Sequence, residues 1–173
     1  MPGALDNASG VAAVMALVHR FVKEPIPGVG LEILLTGCEE SGLLGAAAWA
    51  DAHKSQRSEV TFINLDCVGV KPIRYFSQES PVIGPSVPYP KGLVARAQAV
   101  ASTLASKPQP ISLPGPTDGL AFLARGFSGI TILGLTADGR MPNYHQMTDV
   151  PEHVDHAAIG EAVEFAWEFM RGR

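Results

Sequence analysis

Apolar residues recur at Val11, Val14, Met15, Val18, Phe21 and Val22, the spacing of one helical face, so the pattern predicts a helix from Ala8. Asn7 or Ser9 supplies its cap and Pro25 its stop. The period then changes. "GLEILLTG" (30–37) and "EVTFINLDCVG" (59–69) are short apolar runs rich in Val, Ile, Leu and Phe, the signature of strands in a largely buried sheet. "SGLLGAAAWADAHK" between them reads as a helix, and strand, helix, strand in that order builds a parallel crossover. "IRYFS" (73–77) and "GITILGL" (129–135) add strands, 93–105 and 118–125 add helices, and four prolines make 81–92 an irregular loop. A second loop, 136–152, leads to a terminal helix with Ile159, Ala162, Val163, Ala166, Trp167 and Met170 on one face. The expected architecture is one α/β domain over 1–173, a mixed, mostly parallel central sheet flanked by helices.

Composition narrows the partners. With 173 residues, 46% of them hydrophobic, the chain can bury a sizeable core. A net charge of −4 without a Lys or Arg cluster argues against nucleic acid and anionic membrane surfaces. Its most apolar windows, such as "VAAVMALV", are too short to span a bilayer. Cys38 and Cys67 lack the spacing of a metal knuckle and read as two buried, reduced thiols. The opening "MPGALDNASG" has neither the charged nor the apolar region of a leader, so the compartment stays open.

Functional groups in open α/β sheets gather where strands end and loops begin. Asp6 stands before the first helix, Glu39 and Glu40 follow one strand, Asp66 lies near the end of another, and His145 lies in the loop "PNYHQMTD". Each has a plain reading by itself. Asp6 can cap a helix, "EESG" can be a solvated loop, and His145 can be a loop histidine. Asp66 follows the apolar "TFINL", where a carboxylate needs a partner to offset its burial. At a strand end successive side chains point in opposite directions, so two adjacent glutamates can do different jobs. One can hold a metal while the other takes a proton from metal-bound water. Carboxylates with an imidazole suit zinc, manganese or cobalt, and a metal brings the pKa of its water toward neutrality. The chemistry this points to is hydrolysis.

Taken together and in order, "GALDNASGVA", "CEESGLLGA", "NLDCVG" and "YHQMTD" resemble the motifs of the co-catalytic dinuclear zinc aminopeptidases, which include the bacterial leucyl aminopeptidases. "TDGLAFLARGFSGITIL" resembles the passage before that family's last ligand. The resemblance runs from about residue 3 to the C-terminus. It implies a zinc-exopeptidase fold of the phosphorylase/hydrolase-like kind. It also implies that Asp6 bridges two zinc ions, with a cis Asp6–Asn7 peptide, and that Glu39 is the general base and acid. Glu40 and His145 would then bind one ion and Asp66 the other. The expected activity is metal-dependent peptide hydrolysis, releasing N-terminal residues from peptides.

Three departures qualify that expectation. The family carries another histidine ligand, in a His-x-Asp motif on a strand upstream of the bridging aspartate, whereas only five residues precede Asp6 here. The expectation is therefore a domain without its N-terminal strands, a weak second metal site, and an open sheet edge that favours a homo-oligomer. "TDG" stands where relatives often have "SDH". No tyrosine lies between Tyr89 and Thr117 to steady an oxyanion, and Tyr144 is the candidate substitute in binding substrate. His19, His53, His153 and His156 match no motif. Two other readings stay open: a glutaminyl-cyclase-like acyltransferase using one zinc, and a catalytically inactive homologue acting as a binding module.

Overall fold

The computed structural model describes residues 1–172. Five helices, α1 (Ser9–Lys23), α2 (Leu44–Ala52), α3 (Lys91–Thr103), α4 (Asp118–Leu123) and α5 (His156–Arg171), surround a five-stranded sheet. Its strands are β1 (Thr61–Asp66), β2 (Ile73–Ser80), β3 (Val87–Pro88), β4 (Gln109–Pro114) and β5 (Ser128–Gly134). The two longest ladders, β1 with β5 and β2 with β4, are parallel, while β2 runs antiparallel to β5 and β3. This is the expected mixed α/β sheet.

Alternation along the strands sends side chains into two cores. Leu65, Ile73, Tyr75, Ile130 and Ile132 meet α1, α3 and α5 on one face. Phe62, Phe76 and Leu133 meet α2 and α4 on the other. The terminal helix anchors the first core through Phe165, Trp167 and Phe169, each at most 1% exposed. Burying an aromatic of this size is worth about 2–3 kcal/mol. Asp155 caps α5 by accepting from the amides of Ala157 and Ala158 at 2.8 and 3.2 Å.

The sequence pattern and the structure part at 30–37. That run forms no ladder among the described residues, so the parallel crossover through α2 does not close. Its strand-like composition has no neighbour to pair with: Leu35 is 59% exposed, and a groove of about 680 Å³ separates Ile33 and Leu34 from Ile63 and Leu65 of β1. Conversely, β4 was hidden in "QPISLP", where flanking prolines argue against a strand. It tolerates them at the far side of β2, where it pairs with β2 alone among the described residues. The loop 81–92 also contains the two-residue strand β3. Cys67 is buried, but Cys38 is exposed, against the expectation of two buried thiols. Cys38 has φ of 58° and stands at the start of a turn, its carbonyl accepting from the Ser41 and Leu44 amides.

Candidate metal and catalytic site

The site is assembled where the N-terminus of α1 presses on the end of β1. A Cβ on Gly10 would come within 2.3 Å of the Leu65 carbonyl oxygen, so only glycine lets the helix approach this closely. Asn7 fastens the junction. Its amide donates to the Leu65 carbonyl at 3.0 Å, and its side-chain oxygen accepts from the amides of Gly10 (3.0 Å) and Cys67 (3.1 Å). The preceding turn is held by Asp149, 2% exposed, which accepts from the amides of Leu5 (2.6 Å) and Asp6 (3.2 Å). The Asp6–Asn7 peptide is cis. These bonds bring Asp6 beside Asp66, about sixty residues apart in sequence.

His145 approaches from the loop before α5. Its Nε2 lies 2.6 Å from Glu40 Oε1 and 3.3 Å from Asp6 Oδ2. The ligand atoms of Asp6, Glu40 and His145 all fall within 4.8 Å of one another, as do those of Asp6, Asp66 and Cys67. A tetrahedral divalent cation with bonds of about 2.0–2.1 Å sets its donors about 3.3 Å apart. The His145–Asp6 spacing meets that value, and the His145–Glu40 contact is a hydrogen bond that a cation would replace. Oxygen, oxygen and imidazole nitrogen form a suitable donor set for such a metal. The second group is poorer, since burial and the neighbouring carboxylates of Asp66 and Asp6 push the Cys67 thiol far up, away from the thiolate a metal needs.

The adjacent glutamates do have different surroundings, although not through strand geometry. They lie in a turn in which the Glu39 carbonyl accepts from the amides of Gly42 (3.0 Å) and Leu43 (2.8 Å). Glu40 meets His145, whereas Glu39 is pushed up to about 7 by its own burial, then by the charges of Asp66 and Asp118, and less by Glu40 and Asp6. Burial also pushes Asp66 to about 7, opposed by its hydrogen bond with Cys67 and reinforced by Asp6, Asp118 and Glu79. Asp6 is raised by burial and by Glu40, with His145 acting the other way. Half-buried carboxylates crowded without a counter-ion favour protonation, and a cation among them would reverse this.

Tyr144 stacks on the His145 ring at 3.8 Å between centroids. Burial and the charges of Asp6 and Glu40 raise its phenol, which therefore stays protonated. His19 lies on α1 and His156 opens α5, while His53 and His153 point Nδ1 at the carbonyls of Trp49 (2.8 Å) and Thr148 (2.7 Å). None joins the cluster.

Sequence reasoning gave no part in the site to four supporting residues: Asn7, offered only as a helix cap, Asp149, Asp118 and Glu79. The first three stood inside the quoted motifs. Glu79 gave no signal, standing in the polar "QES" just past the expected strand 73–77, yet it is fully buried, accepting from the Thr117 amide (3.1 Å) and the hydroxyls of Thr117 (2.9 Å), Thr131 (3.0 Å) and Tyr89. This cluster explains "TDG". A Cβ on Gly119 would lie 2.3 Å from Thr131 Oγ1, 2.5 Å from the Tyr89 hydroxyl and 2.8 Å from Glu79, so no larger residue fits beside it.

Comparison with known proteins gives the same answer as the motifs. The chain is 29% identical over 185 residues to the probable lipoprotein aminopeptidase LpqL of Mycobacterium tuberculosis, an alignment covering 92% of this chain and 37% of that protein. Its fold is similar to a zinc aminopeptidase from Bacillus subtilis, with a TM-score of 0.79 at 20% identity over 98% of this chain and 41% of the other. It is also similar to the glutaminyl cyclase of Bacteroides thetaiotaomicron, with a TM-score of 0.70 at 17% identity over 99% and 63%. The chain thus spans less than half the length of its aminopeptidase relatives. No helix among the described residues is long and apolar enough to cross a membrane. The profile of Peptidase family M28 matches residues 1–170, and the chain belongs to that family.

Proposed function

We propose that this chain carries the catalytic residues of a zinc-dependent exopeptidase that releases N-terminal residues from peptides. The observation that carries the reading is the division of the glutamate pair. Glu40 converges with Asp6 and His145, while its neighbour Glu39 stays outside that trio with a carboxyl poised near neutrality. Asp6, Glu40 and His145 would hold one zinc, and Asp66 with Asp6 would offer a second, weaker site that contains no imidazole among the described residues. Bound there, zinc supplies a Lewis acid for the scissile carbonyl and acidifies the attacking water. Glu39 takes the proton from that water and returns it to the leaving amine, a task suited to a pKa near the working pH. The Tyr144 hydroxyl, kept protonated, is the donor proposed for the developing oxyanion.

One observation favours a second reading. Among the described residues only the Asp6, Glu40 and His145 group contains an imidazole, a one-zinc arrangement that also suits a glutaminyl-cyclase-like acyltransferase. Assaying the zinc-loaded chain for aminoacyl chromophore release and for cyclisation of an N-terminal glutamine peptide separates the two. Chromophore release that disappears in Glu39→Gln supports the peptidase, and pyroglutamate formation alone refutes it. Equal chromophore release by both proteins removes Glu39 as the base. We also propose self-association through β1, which pairs only with β5 among the described residues and presents an open edge. Light scattering that shows only monomer contradicts this.

A further inference from the structure

The turn bearing Glu39 and Glu40 is weakly tied to the rest of the molecule. Among the described residues, no backbone hydrogen bond joins 28–36 to the sheet. On the side toward α2, Trp49 donates to Glu32 at 3.2 Å and the Gly45 amide to the Gly37 carbonyl at 3.0 Å. On the side toward the sheet and α4 there is one bond, from the Thr36 hydroxyl to Asp118 Oδ2. Thr36 precedes Glu39 by three residues, so where it is held determines where the pair can reach.

Asp118 is itself rigidly mounted. It opens α4, directly after Thr117, whose amide and hydroxyl both go to the buried Glu79 of β2. Asn64 of β1 donates to the same hydroxyl at 3.0 Å, and Thr131 of β5 shares Glu79. Three strands therefore fix the start of α4. Asp118 is 7% exposed, and its Oδ1 is buried with no hydrogen-bond partner. An aspartate needed only to start a helix would turn its oxygens to backbone amides. This one gives its single bond to Thr36.

We propose that Asp118 is a positioning residue of the metal site, holding the Thr36 hydroxyl so that Glu40 and Glu39 are kept in register with Asp6, Asp66 and His145. The role rests on the assignment of Glu40 as a zinc ligand. The line of support runs from Glu79 through Thr117 to Asp118, and across one hydrogen bond to the turn. Asp118 touches neither metal nor substrate in this account, and its effect is transmitted through Thr36.

The test is the zinc affinity of the full chain, by competition with a chromophoric chelator, together with amide exchange across 38–43 in the metal-free protein. Thr36→Val should weaken zinc about tenfold, at the low end of what loss of an outer partner costs, and speed exchange in the turn but not in β5. Thr36→Ser should restore both. Asp118→Ala should match Thr36→Val, whereas Asp118→Asn, which keeps an acceptor for Thr36, should stay within about threefold of the parent. The double variant Thr36→Val with Asp118→Ala should lose no more than either alone, because both remove the same bond. Parental zinc affinity in Thr36→Val overturns the proposal. Should that variant not fold, equal affinities in the Asn and Ala variants at Asp118 overturn it instead. Weakened zinc binding in a chain without peptidase turnover keeps the positioning role and removes the peptidase reading. Unchanged binding with normal turnover does the reverse.

Discussion

Two potential metal groups share Asp6 and differ in what surrounds it. Toward solvent, Glu40 and His145 add a carboxylate and an imidazole on exposed, adjustable side chains, 55% and 40% accessible. Toward the sheet, Asp66 and Cys67 add a carboxyl and a thiol whose burial favours the protonated form. A cation entering the first group meets two side chains that solvent already reaches. One entering the second must displace protons from groups that hold them tightly. Proximity of carboxylates thus does not make equal surroundings, and among the described residues only the first group contains an imidazole. Glu39 feels Asp66 and Asp118 more than Glu40, placing the proposed base on the side of the weaker group.

The largest effect should come from separating proton transfer from metal binding. Glu39→Gln is expected to lower peptidase turnover by about a thousandfold, within the range of a lost general base, as read by chromophore release at saturating zinc. Next comes the contrast between the groups. His145→Ala should weaken zinc by on the order of a hundredfold, at or above the usual cost of losing an outer-sphere partner, while Asp66→Asn should change the first zinc affinity less than about threefold. Comparable losses in the two variants would erase the distinction.

Stability offers a smaller effect. Asp6, Glu39, Asp66, Glu79 and Asp118 all have raised pKa values in the folded chain, chiefly from burial. The native state therefore binds more protons than the unfolded one, and metal-free stability should fall as pH rises from about 4, the ordinary carboxylate value, to about 7, where Glu39 and Asp66 titrate. Melting curves in chelator at pH 5 and 7.5 should show the lower midpoint at 7.5, and zinc should raise the midpoint more there than at pH 5. Gly119→Ala, which forces a methyl against Thr131, Tyr89 and Glu79, should destabilise the chain by about 1–3 kcal/mol in denaturant titration. The smallest effect is expected at the thiol. Cys67→Ala should leave the first zinc affinity within about twofold, since the thiol is not a ligand of that group.

The polar ends of the elements were more legible in the sequence than their pairing. Asp6, Glu40 and His145 meet, although widely separated in sequence, and the motifs containing them had suggested as much. Their support was partly visible, because Asn7 and Asp149 stood within the same motifs. Glu79 was not, since an acidic residue in the polar stretch after 73–77 gives no sign of the hydroxyls that will surround it. The run 30–37 shows the opposite failure. Its composition is that of a buried strand, but a strand also needs a neighbour, and here a groove intervenes between it and β1. β4 has no counterpart in the sequence pattern, and it contains prolines that a strand paired on one side can accommodate. The expected strand-end separation of Glu39 and Glu40 is not the geometry found, since a turn places them.

The central claim is that two adjacent glutamates have different tasks, and zinc affinity tests it without requiring turnover. Competition titration of the first zinc should find Glu39→Gln within about threefold of the parent and Glu40→Gln weaker by on the order of a hundredfold or more, since a ligand contributes at least as much as the partners that orient it. Equal losses in the two variants, or a larger loss for Glu39→Gln, would contradict the division of labour.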